Sequence, residues 1–184
     1  MGRTLWAMTT TQHKRGITIH RAADAPDLVA TDFMTAPQMS PEAREGTRGF
    51  TRAGGVAGGV VKVLARDAGG FSLVHVWFKA DYPLPRHSHD ADCMYYVISG
   101  SAVMGNQVLR AGDSFFVPAD APYQYNAGPD GVEVLEVRHG AEHFDMKIPD
   151  ASPARWKAMA ETVAANQERW AAEPVSPTFA ANAG

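Results

Sequence analysis

The sequence predicts an all-β fold: an antiparallel sandwich or barrel, with an arm at its N-terminus and one amphipathic helix at its C-terminus. Three observations lead there. Between about Val60 and Arg138, eight or so short apolar runs recur at near-regular spacing, separated by turn residues and with no helical pattern between them. Before that span the chain is broken by Pro26, Pro37 and Pro41. After it, from Ser152 on, the apolar period changes from that of a strand to that of a helix. These changes divide the chain into an arm over residues 1–50, a β-rich body over 51–145 and a helix with its tail over 146–184.

Residues 1–15 are polar and Thr-rich, and they lack the continuous apolar core of a signal peptide; Met8 could be the natural start. Ile17 and Ile19 alternate as a short strand would. Ser40, Pro41 and Glu42 could open one short turn of helix. The pairs Gly54-Gly55 and Gly58-Gly59 have neither the Lys-Ser/Thr of a phosphate loop nor a strand-then-helix context, so they read as a flexible hairpin or lid. Strands follow over 60–66 and 71–78, the second apolar on both faces. Further strands are expected over 94–98, 102–104, 107–109, 114–118, 123–125 and 132–138, with turns at Gly100, at Gly105-Asn106 and over 126–131. In the tail, Ser152 supplies a helix cap and Pro153 the first helical position. Trp156, Met159, Val163 and Trp170 then mark one face of a helix over 153–172, expected to pack on the body or on a second subunit. Residues 173–184 read as a loose end.

Composition narrows the function classes. The 184 residues are 45% hydrophobic and 20% charged, those of an ordinary soluble globular chain. Seventeen basic against twenty acidic residues, with no basic block and no helix-turn-helix segment, argue against nucleic acid as a partner. No apolar run reaches membrane-spanning length. The single cysteine, Cys93, excludes an intrachain disulfide and fits a reducing compartment, so a cytoplasmic protein is expected.

The chemistry gathers at residues 85–100. His87 and His89 stand two apart at the start of an apolar run. On a strand, residues two apart share a face, so His-x-His aims two imidazoles at one point, where they can hold a metal. His75 shares an alternation face with Phe71, Leu73 and Trp77, and reaches the interior only if that face lines it. His139 and His143 are weaker candidates. Trp77, Tyr95, Tyr96, Phe115, Phe116, Tyr123 and Tyr125 could line a pocket for a small aromatic molecule, although such residues fill barrels in any case.

His87, His89 and the closing Gly100, followed by Gly112-Asp113 and the strand-ending Pro118, resemble the two motifs of the cupin family in their order. The resemblance covers about residues 60–138. It implies a small antiparallel β-barrel or jelly roll, a divalent transition metal inside it (iron, zinc, nickel, copper or manganese), and a homodimer as the usual assembly. It also implies departures from the family's ligand set. Cys93 stands where the family has a glutamate, seven residues before the closing glycine, and Tyr123 stands where the second motif has its histidine, five residues after Pro118. The ligand set by family register is thus His87 and His89, with Cys93 as a further candidate beside Tyr123. Tyr123 would serve as ligand or as catalytic proton donor, and His75, Tyr125 and Trp77 are additional candidates for the pocket. Two functions of different classes follow: a metal-dependent enzyme of dioxygenase, isomerase or lyase type acting on a small carbonyl-containing or aromatic molecule, or a non-catalytic barrel that binds a small molecule.

Overall fold

A computed structural model of the chain describes residues 16–67, 69–140, 142–173 and 176–181; the expectations for residues 1–15 lie outside them. The alternating apolar runs form six strands of one antiparallel sheet: β1 (Gly59–Arg66), β2 (Ser72–Phe78), β3 (Cys93–Met104), β4 (Gln107–Arg110), β5 (Ser114–Val117) and β6 (Asn126–Arg138). They are ordered β1-β2-β6-β3-β4, and β5 also pairs with β3. The first half of β3 pairs with β5 and its second half with β4, while its other edge follows β6. The sheet curls around one core but does not close into a hydrogen-bonded barrel, so the architecture is a jelly-roll-like sheet with β1 and β4 at its edges. Val74, Val76 and Phe78 of β2, Tyr95 and Val97 of β3, and Val132 and Val134 of β6 face that core.

Several local expectations are corrected. The strands expected over 94–98 and 102–104 are one strand, because the backbone passes Gly100 through a bulge instead of a turn. Only glycine fits there: φ is +68°, and a Cβ would lie 2.1 Å from the carbonyl oxygen of Gly131. The turn expected over 126–131 belongs to β6, and residues 123–125 contribute only a bridge between Tyr123 and His87. Ile17 and Ile19 form no strand and are exposed, at 95% and 68%. The single turn expected after Ser40 is a full helix, α1 (Pro41–Arg52), whose cap is Ser40 Oγ accepting from Ala43 N–H at 3.1 Å. The glycine pairs form no hairpin; they carry the chain from the end of α1 through a short 3₁₀ turn (Gly55–Gly58) into β1.

The tail helix α2 (Pro153–Ala171) forms as the periodicity predicts, with Trp156, Val163 and Trp170 buried. It packs on α1, where the backbone of Gly46 lies against the Trp156 ring so closely that a Cβ would fall 2.3 Å from it. Trp170 donates its indole N–H to the Ala80 carbonyl at 2.9 Å and lies beside Tyr82. Of the tail expected to be a loose end, residues 176–181 are not loose. A short helix α3 (Pro177–Ala181) returns to the outer face of the sheet, where Glu133 accepts from Thr178 N–H at 3.1 Å and from Thr178 Oγ1 at 2.7 Å. No helix is long and apolar enough to cross a membrane among the described residues.

Candidate functional site

The His-x-His segment is held by backbone on both sides. His87 N–H donates to the Tyr123 carbonyl at 3.0 Å and Tyr123 N–H returns a bond to the His87 carbonyl at 2.9 Å. Ser88 and Lys147 exchange a matching pair, each at 2.9 Å. The segment around Lys147 is pinned in turn by the N-terminal arm, since Gln38 N–H donates to Met146 and Ile148 N–H donates to Gln38, at 2.7 and 2.9 Å. With the backbone fixed, alternation places both imidazoles on one side. Their ring centroids are 4.9 Å apart, and the residues are 4% and 7% exposed.

The tautomers follow from the partners. A carbonyl only accepts, so His87 Nδ1 carries the proton donated to the Pro85 carbonyl at 2.8 Å, and His89 Nδ1 the one donated to the Asp145 carbonyl at 2.7 Å. Both Nε2 atoms therefore present a lone pair. His87 Nε2 accepts from the Tyr123 hydroxyl at 2.9 Å, and Tyr123 in turn accepts from the Tyr95 hydroxyl at 2.5 Å. The hydroxyls and the imidazole form one directed chain, Tyr95 to Tyr123 to His87, ending on a backbone carbonyl. Backbone anchoring of Nδ1, which leaves the Nε2 lone pair for another partner, is the arrangement that orients a metal-binding histidine, although here the Tyr123 hydroxyl occupies that of His87.

Burial sets the charge states. It pulls the His87 pKa down to about 4, helped by the neighbouring His89, and lowers that of His89. Both are neutral near pH 7, as metal ligation requires. Burial also holds the Tyr123 and Tyr95 hydroxyls far above the usual tyrosine range, so both are neutral phenols. Two further residues act on this group. Glu136 lies on the inner face of β6, opposite Tyr95 in register, and its charge acts on both histidines, Cys93, Tyr95 and Tyr123. Arg138, two residues on, has its Nη2 2.6 Å from Glu136 Oε2 and its guanidinium 4.2 Å from the centre of the Phe144 ring. Phe144 presents that same ring to His89, edge-on at 5.0 Å. Reading the sequence alone missed Glu136 and Arg138, although Val132, Val134, Glu136 and Arg138 share one alternation face.

The other candidates divide by face. Cys93 precedes Tyr95 on the inner face and is buried, and burial raises its thiol pKa to about 12. It is a protonated thiol near the site, not a thiolate. Tyr125 is buried in the core, T-shaped to Phe115 and tilted against Phe78, each at 6.0 Å. His75 and Trp77 do not face the core that holds the histidine pair; they lie on the outer face of β2, because Val74, Val76 and Phe78 take the inner one. There His75 is buried beneath Phe179, with Nε2 3.3 Å from Glu133, and Trp77 lies beneath the Lys79 ammonium at 5.3 Å. His139 and His143 are exposed. No group of three or more His, Cys, Asp and Glu side chains is arranged to hold a metal among the described residues. Any metal on the histidine pair would draw its remaining ligands from the tyrosine hydroxyl, water or substrate.

No family model matches the chain, and no curated protein matches it. Solved structures do. The polyketide cyclase RemF from Streptomyces resistomycificus is 14% identical, with 82% of this chain and 97% of that one covered at a TM-score of 0.52. An RmlC-like cupin from Shewanella frigidimarina is 28% identical over 46% of this chain and 78% of its own, at a TM-score of 0.41. An RmlC-like cupin protein from Ralstonia eutropha is 16% identical over 68% and 69%, at 0.45.

Proposed function

Taking the chain as a member of the cupin superfamily by its fold, we propose that it is a metal-dependent enzyme acting on a small carbonyl-containing or aromatic molecule, by dioxygenase, isomerase or lyase-type chemistry. One observation carries this reading: two neutral, buried imidazoles have Nδ1 tied to backbone carbonyls and Nε2 lone pairs presented from one side. His87 and His89 would hold a divalent transition metal such as iron, zinc, nickel, copper or manganese. Such a metal supplies Lewis acidity toward a carbonyl or enolate oxygen, or a place for O₂. Tyr123 is the catalytic proton donor, because burial keeps its phenol protonated and the Tyr95 hydroxyl bonds and orients it. The stacked rings of Tyr95 and Phe115, 4.5 Å apart, form an aromatic wall beside it.

A second reading is favoured by one feature, the Tyr123 hydroxyl already seated on His87 Nε2. In that reading the barrel binds a small molecule without a metal, and Tyr123 is a lock on the histidine. Elemental analysis of the full-length protein purified without chelators separates the two. Stoichiometric metal, or a saturable site on titration, supports the enzyme; no metal and no saturable site leaves the binding module. We further propose a cytoplasmic homodimer that pairs through the outer sheet face, where Met94, Tyr96 and Phe116 stand exposed on adjoining strands.

A further inference from the structure

Arg138 is 1% exposed and sits on the inner face of β6. A guanidinium offers five N–H donors, and buried donors in folded proteins are nearly always used. Here most are not. Nη2 is paired with Glu136 Oε2 at 2.6 Å, while Nε and Nη1 lack a hydrogen-bond partner among the described residues. The hydroxyl of Ser72, the residue paired with Arg138 across β2 and β6, is also fully buried and unpartnered among the described residues. Leaving so many donors unmet next to a buried charge is costly unless something completes them.

The position of Arg138 says where that something lies. Phe144 covers the guanidinium and stands at right angles to the His89 ring. Glu136 faces Tyr95, which bonds Tyr123, which bonds His87. Arg138 therefore stands in the same buried group as the two histidines, close enough for its charge to act on both, where the proposed small-molecule pocket would lie. We propose that Arg138, with Ser72 beside it, anchors a carboxylate on the small molecule that this pocket takes. The inference rests on the pocket being a small-molecule site and adds the chemical class of its occupant. A planar fork of N–H groups matches a carboxylate in two-point contact. A single guanidinium already shared with Glu136 suits a monoanion rather than a doubly charged phosphate, and the surrounding rings suit an apolar or aromatic body.

The test is calorimetric titration of the full-length protein, as purified and with its metal content measured, using acetate and benzoate as probes against acetamide and benzamide. The expected result is that each carboxylate binds roughly tenfold or more tightly than its amide. Arg138→Lys, which keeps the charge and loses the fork, should remove most of that preference. The variant carrying His87→Ala and His89→Ala should keep the preference, because the anchor is not the metal. If Arg138→Lys is unstable, the comparison of acid with amide in the unaltered protein and in the histidine variant still decides. A preference lost in the histidine variant means that the carboxylate sits on the metal; this overturns the role of Arg138 and leaves the metal reading standing. Equal binding of acids and amides overturns the proposal outright, whatever the metal content.

Discussion

Replacing Tyr123 by phenylalanine separates a proton donor from a metal ligand, because the two roles predict opposite signs. In folding, Tyr123→Phe strips the acceptor from the buried Tyr95 hydroxyl and the donor from His87 Nε2, bonds now at 2.5 and 2.9 Å. Each buried group left unpartnered costs about 1–3 kcal/mol; the Tyr95 hydroxyl is able to turn, so the total should be about 2–4 kcal/mol. For a chain of this size that corresponds to a fall in Tm of roughly 5–15 °C. Metal binding should respond the other way. In the native protein a metal reaching His87 Nε2 must displace the Tyr123 hydroxyl, at a net loss of about 0.5–1.5 kcal/mol. The variant has nothing to displace, so zinc should bind roughly two- to tenfold more tightly, as read by calorimetric titration of metal-free protein. A tenfold or greater loss of zinc affinity would mean that the phenol oxygen is itself a ligand, and the donor assignment would be refuted.

The other predictions concern the site's charge state, its ligands and its scaffold. Because His87 titrates near 4 when folded and near 6.5 when unfolded, the unfolded chain binds more protons between those values. The stability of metal-free protein should therefore be full above about pH 6.5 and fall by about 3 kcal/mol as the pH drops toward 4, with His89 adding in the same direction. Urea midpoints that stay level from pH 7 to 4.5 would contradict this. His87→Ala combined with His89→Ala should abolish metal uptake while the far-ultraviolet dichroism keeps its β signature; undiminished uptake by elemental analysis would move the site elsewhere. Trp170→Ala removes a fully buried indole and its bond to Ala80, which should cost about 3–5 kcal/mol in denaturant melts, and an unchanged midpoint would rule out a structural role for α2.

How much of this was legible in the sequence depends on whether one strand face could be told from the other. His87 and His89 stood out because a pair two apart shares a side whichever side that is. The helix over 153–172 was equally clear, since the Trp156–Trp170 stripe has only one period that explains it. His75 was not, because β2 is apolar on both faces and parity alone names neither. What decides is α3, which seals the outer face with Thr178 and Phe179 and turns His75 into a buried residue away from the pocket. Residues 177–181 are too short and too weakly patterned to announce a helix, so neither the cover nor its consequence could be foreseen.

β6 shows the same ambiguity in sharper form. Its apolar residues change parity in mid-strand: Val132 and Val134 share one face, Leu135 and Val137 the other. The charges change with them, Glu133 on one side and Glu136 with Arg138 on the other. A strand cannot turn over without a bulge, so one charged group had to end up under the sheet's cover and the other inside its core. Glu133 lies outside and is fully employed, accepting from Ser99 and twice from Thr178, so it fastens the tail to the sheet. Arg138 lies inside, and beyond its pairing with Glu136 its donors are not employed among the described residues. Burial alone does not distinguish these two faces, since both residues are about equally hidden from solvent. What distinguishes Glu133 from Arg138 is the hydrogen-bond inventory: Glu133 has its acceptors filled and so a structural task already, whereas Arg138 keeps donors open among the described residues.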